Sequence, residues 1–146
     1  MAQSVGAEPA GARLAEIHQL YALQSHLIDS GRAAEWAATF TDDGAFHSPS
    51  YPEPSVGTGQ LTAFAEQFAA DARSAGEVRR HVLTNLVVHP EEHADGSLAV
   101  EAYLQIVATP HGGAPRLVRF TTVSDRLVRE GHAWRVAHRT VRRDDA

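Results

Sequence analysis

An α+β domain is the fold class that this chain predicts, and three observations point to it. Apolar residues recur at helical spacings of three and four up to about residue 75, and they alternate with a period of two from residue 79 onward. Short turns containing glycine or proline separate the later segments, as hairpin-linked antiparallel strands require. Helices come first and strands afterwards, which favours two segregated layers over a βαβ alternation.

The elements follow in order. Residues 1–11 are small and polar, include Pro9, and are expected to form a loose tail before one domain over residues 12–143. Residues 12–30 predict a helix. Leu14, Ile17, Tyr21 and Ile28 form one apolar stripe and Leu20, Leu23 and Leu27 a second, so the helix is expected to be covered on two sides. His18, Ala22, Ser25 and Asp29 make a narrow strip between the stripes, and Gly31 ends the helix as a C-terminal cap. Asp29 lies in the last turn, where a carboxylate faces the negative end of the helix dipole. By local pattern alone it reads as an exposed turn residue.

A second short helix fits residues 32–40, with Trp36 and Phe40 on one face. Asp42-Asp43-Gly44 reads as a turn, residues 45–47 as a short strand, and residues 48–59, with three prolines and two glycines, as an irregular loop. Residues 61–75 form an amphipathic helix through Leu61, Phe64, Ala65 and Phe68, stopped by Gly76. Four strands follow, over 79–89, 97–109, 116–129 and 133–142, most simply as an antiparallel meander. Three helices on one face of a curved sheet would enclose a pocket.

In the first of these long strands, alternation places Arg79, His81, Leu83, Asn85 and Val87 on one face. An imidazole and a carboxamide on an inward face need partners or a ligand. In the second, Leu98, Val100, Ala102, Leu104 and Ile106 oppose Glu101, Tyr103 and Gln105.

Composition narrows the function. The chain has 146 residues and a net charge of -5, with no basic block beyond Arg142-Arg143, so nucleic acid is not expected as a partner. The absence of cysteine removes disulfides and thiolate chemistry. All 13 basic residues are arginines, so Schiff-base chemistry and a phosphate-loop lysine are excluded. No apolar run is long enough to span a membrane, and no basic-then-apolar leader is visible, so a cytoplasmic location is expected. The nine histidines show no metal-ligand spacing, and none of the nine serines sits in a nucleophile elbow. Neither a metal nor another cofactor is expected. Gly57-Thr58-Gly59 reads as a loop, and Arg139, Arg142 and Arg143 as a solvated strand end.

Several short segments carry a family resemblance, in order. They are Leu20-Tyr21 with His26-Leu27-Ile28-Asp29-Ser30-Gly31, and Trp36-Ala37-Ala38-Thr39-Phe40-Thr41-Asp42-Asp43-Gly44. Further on come Arg80-His81-Val82-Leu83-Thr84-Asn85, Ser124-Asp125-Arg126-Leu127-Val128-Arg129 and Trp134-Arg135-Val136-Ala137-His138-Arg139. Together they resemble the NTF2-like superfamily of cone-shaped (cystatin-like) α+β domains, and most closely its SnoaL-like branch of polyketide cyclases and scytalone dehydratase-like proteins. That resemblance implies three N-terminal helices packed on a curved, mostly antiparallel sheet, and a homo-oligomer, dimer or trimer.

In scytalone dehydratase-like enzymes an Asp ending the first long helix pairs with a His on the strand after the third helix. By position these are Asp29 and His81. Ile28 stands where those enzymes carry a pocket tyrosine, and their second histidine falls near Tyr103 or Leu104.

A paired carboxylate and imidazole can move protons alpha to a carbonyl: the carboxylate fixes the tautomer, and an imidazole with a pKa of about 6.5 titrates near neutrality. Asn85 would donate to a developing enolate. Trp36, Phe40, Tyr51, Tyr103 and Phe120 would line an apolar pocket for the substrate. The expected function is cofactor-independent dehydration, cyclisation or isomerisation of a carbonyl-bearing cyclic, polyketide-like metabolite. The alternative is a non-catalytic small-molecule-binding or accessory subunit.

Overall fold

The computed structural model of the chain describes residues 10–90 and 93–145. Residues 1–9 of the expected tail and residues 91–92 of a turn lie outside the described residues. Among the described residues three helices, α1 (Ala10–Asp29), α2 (Ala33–Ala37) and α3 (Gly57–Ser74), interleave with β1 (Phe40–His47) and β2 (Ser55–Val56). Four long strands follow: β3 (Glu77–Val88), β4 (Leu98–Pro110), β5 (Arg116–Glu130) and β6 (Ala133–Arg143).

All six strands form one sheet in the order β2-β1-β6-β5-β4-β3. Every pairing is antiparallel except that of β1 with β6. The α+β class, with helices on a curved and mostly antiparallel sheet, is therefore the architecture of this chain.

The boundaries differ from the sequence reading in informative places. α2 stops at Ala37, so that Phe40 already belongs to β1; the chain is extended by its pairing with β6, and the amide of Val136 donates to the carbonyl of Thr39 (3.0 Å). Gly44 permits this close approach, because a Cβ there would lie 2.9 Å from Cβ of Phe40 and 3.2 Å from the carbonyl of Val136. The expected loop over 48–59 contains the two-residue β2 and the first turn of α3.

α1 is buried along Ile17, Tyr21, Gln24, Leu27 and Ile28, while Leu14 and Leu23 are exposed. It is thus covered on one side, not two. A single apolar core joins that face to Trp36, Phe40, Leu61 and Phe68 and to the inward residues of the sheet, among them Val100, Leu104, Ile106, Val123, Leu127 and Val136. No helix among the described residues is long and apolar enough to cross a membrane.

Candidate active site

Two local features bring Asp29 and His81 together. α1 ends in paired backbone hydrogen bonds, from Arg32 N to Leu27 O (2.9 Å) and from Gly31 N to Ile28 O (3.2 Å), with Gly31 at φ +78°. That C-cap fixes Asp29 as the last helical residue. β3 is the sheet edge, so half of its N–H groups have no strand partner. The amide of His81 is one of them, and it donates to both carboxylate oxygens of Asp29, at 2.9 and 3.1 Å. Those bonds offset the poor placement of a carboxylate at a helix C-terminus.

The imidazole completes the contact. Nδ1 of His81 lies 2.7 Å from Oδ1 of Asp29, and both side chains are 12% exposed. An ionised carboxylate can only accept, so Nδ1 carries the proton in the neutral ring and Nε2 keeps its lone pair. The ring packs against Phe68, with centroids 4.6 Å apart, which holds its plane.

His81 lines a cavity between the helices and the concave face of the sheet. Its walls are mainly apolar: Ile28, Trp36, Phe46, Phe64, Phe68 and Leu104 contribute, and Tyr51 stands among them. The aromatic wall is continuous, with Trp36 against Phe64 at 5.7 Å, Phe64 against Phe46 at 4.8 Å and Tyr51 against Phe64 at 4.9 Å. The cavity volume is about 40 Å³. It is a narrow slot.

Of the aromatics expected at a pocket, Trp36 and Tyr51 line this slot and three do not. Phe40 is fully buried behind Trp36, at 4.9 Å, as part of the core. Tyr103 and Phe120 are corrected to the outer face of the sheet, where they are 45% and 44% exposed and 6.2 Å from each other. The reason is alternation: Leu104 and Thr121 are buried on the inner face, so their neighbours point away.

Asn85 is also corrected. A register shift between Thr84 and Val87 puts a bulge in β3, and Asn85 takes up the left-handed backbone, φ +56°. Beyond it the inward positions become Leu86 and Val88, and Asn85 is exposed. It cannot reach an oxygen in the slot. Phe46, Phe64 and Phe68 stand where those residues were expected; Phe64 and Phe68 were already visible as the apolar stripe of α3.

The sequence reading also missed Arg139. A bulge at Ala137, where β5 pairs Leu127 with Val136 and Arg126 with His138, shifts the alternation of β6 by one residue. Trp134 and Val136 point inward before it, Arg139 and Val141 after it. Arg139 is therefore buried and not a solvated strand end. It donates to Asp125 from Nε (2.9 Å) and Nη2 (2.8 Å), and from Nη2 to Oε1 of Gln24 (2.8 Å).

The Tyr21 hydroxyl donates to the same carboxylate, and Gln24 passes the chain on to Thr39 (2.8 Å). Burial acts against the charge of Arg139, but Asp125 more than offsets it and holds the guanidinium above its usual range. Burial, then the charge of Asp125, pushes the Tyr21 phenol well up. Among the described residues, no group of three or more His, Asp or Glu side chains is placed to hold a metal ion.

The profile of the SnoaL-like domain family matches residues 12–140. The chain belongs to the SnoaL-like domain family. A similar structure is that of Aln2 from a Streptomyces species, 29% identical over 95% of this chain and 96% of that one, with a TM-score of 0.82. Another, from Catenulispora acidiphila in complex with S-DNPA, is 28% identical over 92% of this chain and 96% of that one, with a TM-score of 0.78. An NTF2-like protein with a cystatin-like fold from Novosphingobium aromaticivorans shares the fold at 21% identity, over 93% and 88% of the chains, with a TM-score of 0.78. No functionally curated protein matches the chain.

Proposed function

We propose that this SnoaL-like protein is a cofactor-independent enzyme that moves a proton alpha to a carbonyl, in dehydrating, cyclising or isomerising a cyclic, polyketide-like metabolite. The observation that carries this is the Asp29–His81 contact at 2.7 Å on the wall of an apolar slot. Asp29 holds the ring in the tautomer with Nε2 unprotonated, and Nε2 takes a proton from carbon as a general base. The imidazolium that forms is stabilised by Asp29, and it returns the proton to a leaving hydroxyl or to a neighbouring carbon. The apolar walls exclude water, which strengthens these interactions. A structural relative in complex with S-DNPA supports a ligand-binding role for this fold.

The test is proton exchange at carbon. In D₂O with 2-tetralone as probe, the protein should accelerate deuterium incorporation at the alpha carbon, read by proton NMR. His81→Ala should lower that acceleration about 10²–10⁴-fold, the usual share of a positioned acid or base. An unaltered rate in His81→Ala, with the fold intact by circular dichroism, would contradict the reading.

A binding module without turnover is the second reading, favoured by the lack of a second imidazole among the residues lining the slot, where Leu104 stands. It predicts a bound ligand recovered without exchange. A homo-oligomer, dimer or trimer, in the cytoplasm also belongs to this proposal. Exposed Val82, Tyr103, Val118 and Phe120 on the outer sheet face are consistent with it, and light scattering measures it.

A further inference from the structure

Two arginines line the slot, and they differ in what they touch. Arg139 has its charge taken up by Asp125 at 2.8 Å. Arg119, on β5, has no carboxylate partner among the described residues. Its described contacts are Nη1 donating to the Tyr51 hydroxyl at 3.4 Å and the guanidinium over the Tyr51 ring at 5.7 Å. A guanidinium has five N–H donors, and one long hydrogen bond leaves most of them to the cavity or its mouth.

Register places this cation beside the catalytic pair. His81 on β3 pairs with Ile106 on β4, and Ile106 with Arg119 on β5. The three form one row across the sheet, and all three line the slot. Two strand spacings, roughly 10 Å, separate the backbones of His81 and Arg119.

We infer that Arg119, steadied by Tyr51, binds a carboxylate of the substrate while His81 works on a carbon at the other end of the same ring system. The inference rests on the proposed function and narrows its substrate class to cyclic carbonyl compounds that carry an acid group. Charge favours it. Asp29 contributes one negative charge to the slot and the Asp125–Arg139 pair none, so Arg119 is what lets an anion enter beside Asp29. A planar fork of N–H groups matches a carboxylate in a bidentate contact. A phosphate dianion would leave one charge uncompensated against apolar walls.

The experiment compares two probes of one shape, 2-naphthylacetic acid and its carboxamide, by NMR titration of the full chain. The native protein should bind the acid about tenfold or more tightly than the amide, the order expected of a charge-assisted contact. Arg119→Gln should abolish the preference and keep amide binding, and Arg119→Lys should keep only part of it. His81→Gln should retain it, which separates this inference from the proton-transfer reading. Equal binding of acid and amide by the native protein would overturn the assignment and leave His81 untouched. Persistence of the preference in Arg119→Gln would overturn it as well. Binding of neither probe would overturn both the slot as a ligand site and the role of Arg119.

Discussion

Two carboxylates pair with basic side chains on the inner side of the same sheet, and their partners separate a pair proposed to move protons from a pair that holds the fold. Asp125 is paired with Arg139, a permanent cation, and closed in further by Tyr21 and Gln24, with the Asp125 side chain at 0% exposure. Nothing in that chain of hydrogen bonds gives up a proton near neutrality: burial and Asp125 push the Tyr21 phenol up, and Asp125 outweighs burial in keeping Arg139 charged. Asp29 is paired with His81, an imidazole whose ring nitrogens can serve as donor or acceptor. His81 and Arg139 both line the slot, but the Asp125 pair is hydrogen-bonded almost to completion. In the proposed function, a carboxylate serves a reaction or a scaffold according to whether its partner can hand on a proton.

The contrast predicts opposite responses to mutation. The largest stability loss belongs to Arg139→Met, which strands the charge of Asp125 in the core and should cost about 3–5 kcal/mol in urea unfolding. Adding Asp125→Asn should recover part of that loss, because the stranded charge is what costs most; no recovery would show that packing, not charge, dominates there. His81→Ala should change stability by only about 1 kcal/mol, since Asp29 keeps the backbone amide of residue 81. A loss as large as that of Arg139→Met would make His81 a structural residue.

The smallest effect concerns pH. Burial, then His47 (ring centroids 4.8 Å away) and Arg126, hold His138 below the ordinary imidazole value, with Asp125 acting in the opposite direction. The folded state thus resists protonation, while the unfolded chain takes up a proton below about pH 6.5. Stability from this site is present above that pH and lost as the pH falls. His138→Gln should flatten the decline in melting temperature between about pH 7 and 5; an unchanged slope would assign the decline to other groups.

The same two regions differ in how legible they were. Asp29 stood out because a carboxylate in a last helical turn conflicts with the helix dipole, and His81 because an imidazole at an inward strand position needs a partner. Helical and strand periods were enough to expose both conflicts, and the family resemblance joined them. Arg139 was hidden because strict alternation from Trp134 and Val136 turns it outward; only the bulge at Ala137 turns it in. The same limit misplaced Asn85, whose left-handed backbone reverses the face of β3 after Thr84. A bulge adds one residue without changing composition, so periodicity cannot register it.

Tyr103 and Phe120 teach something different. Alternation already separated Tyr103 from Leu104, and the attraction of an aromatic as a pocket wall outweighed that signal. The order of α1, α3 and the four long strands was legible, because those elements are long enough to show their period, whereas the two-residue β2 is too short and read as loop.

The central claim is that Asp29 fixes the His81 ring with its proton on Nδ1 and Nε2 open to the slot. Nitrogen-15 NMR of the imidazole, assigned through His81→Gln and recorded in the neutral form of the ring, reads this directly. The account predicts a single Nδ1–H tautomer in the native protein and a mixture in Asp29→Asn. A native His81 protonated on Nε2 would contradict it.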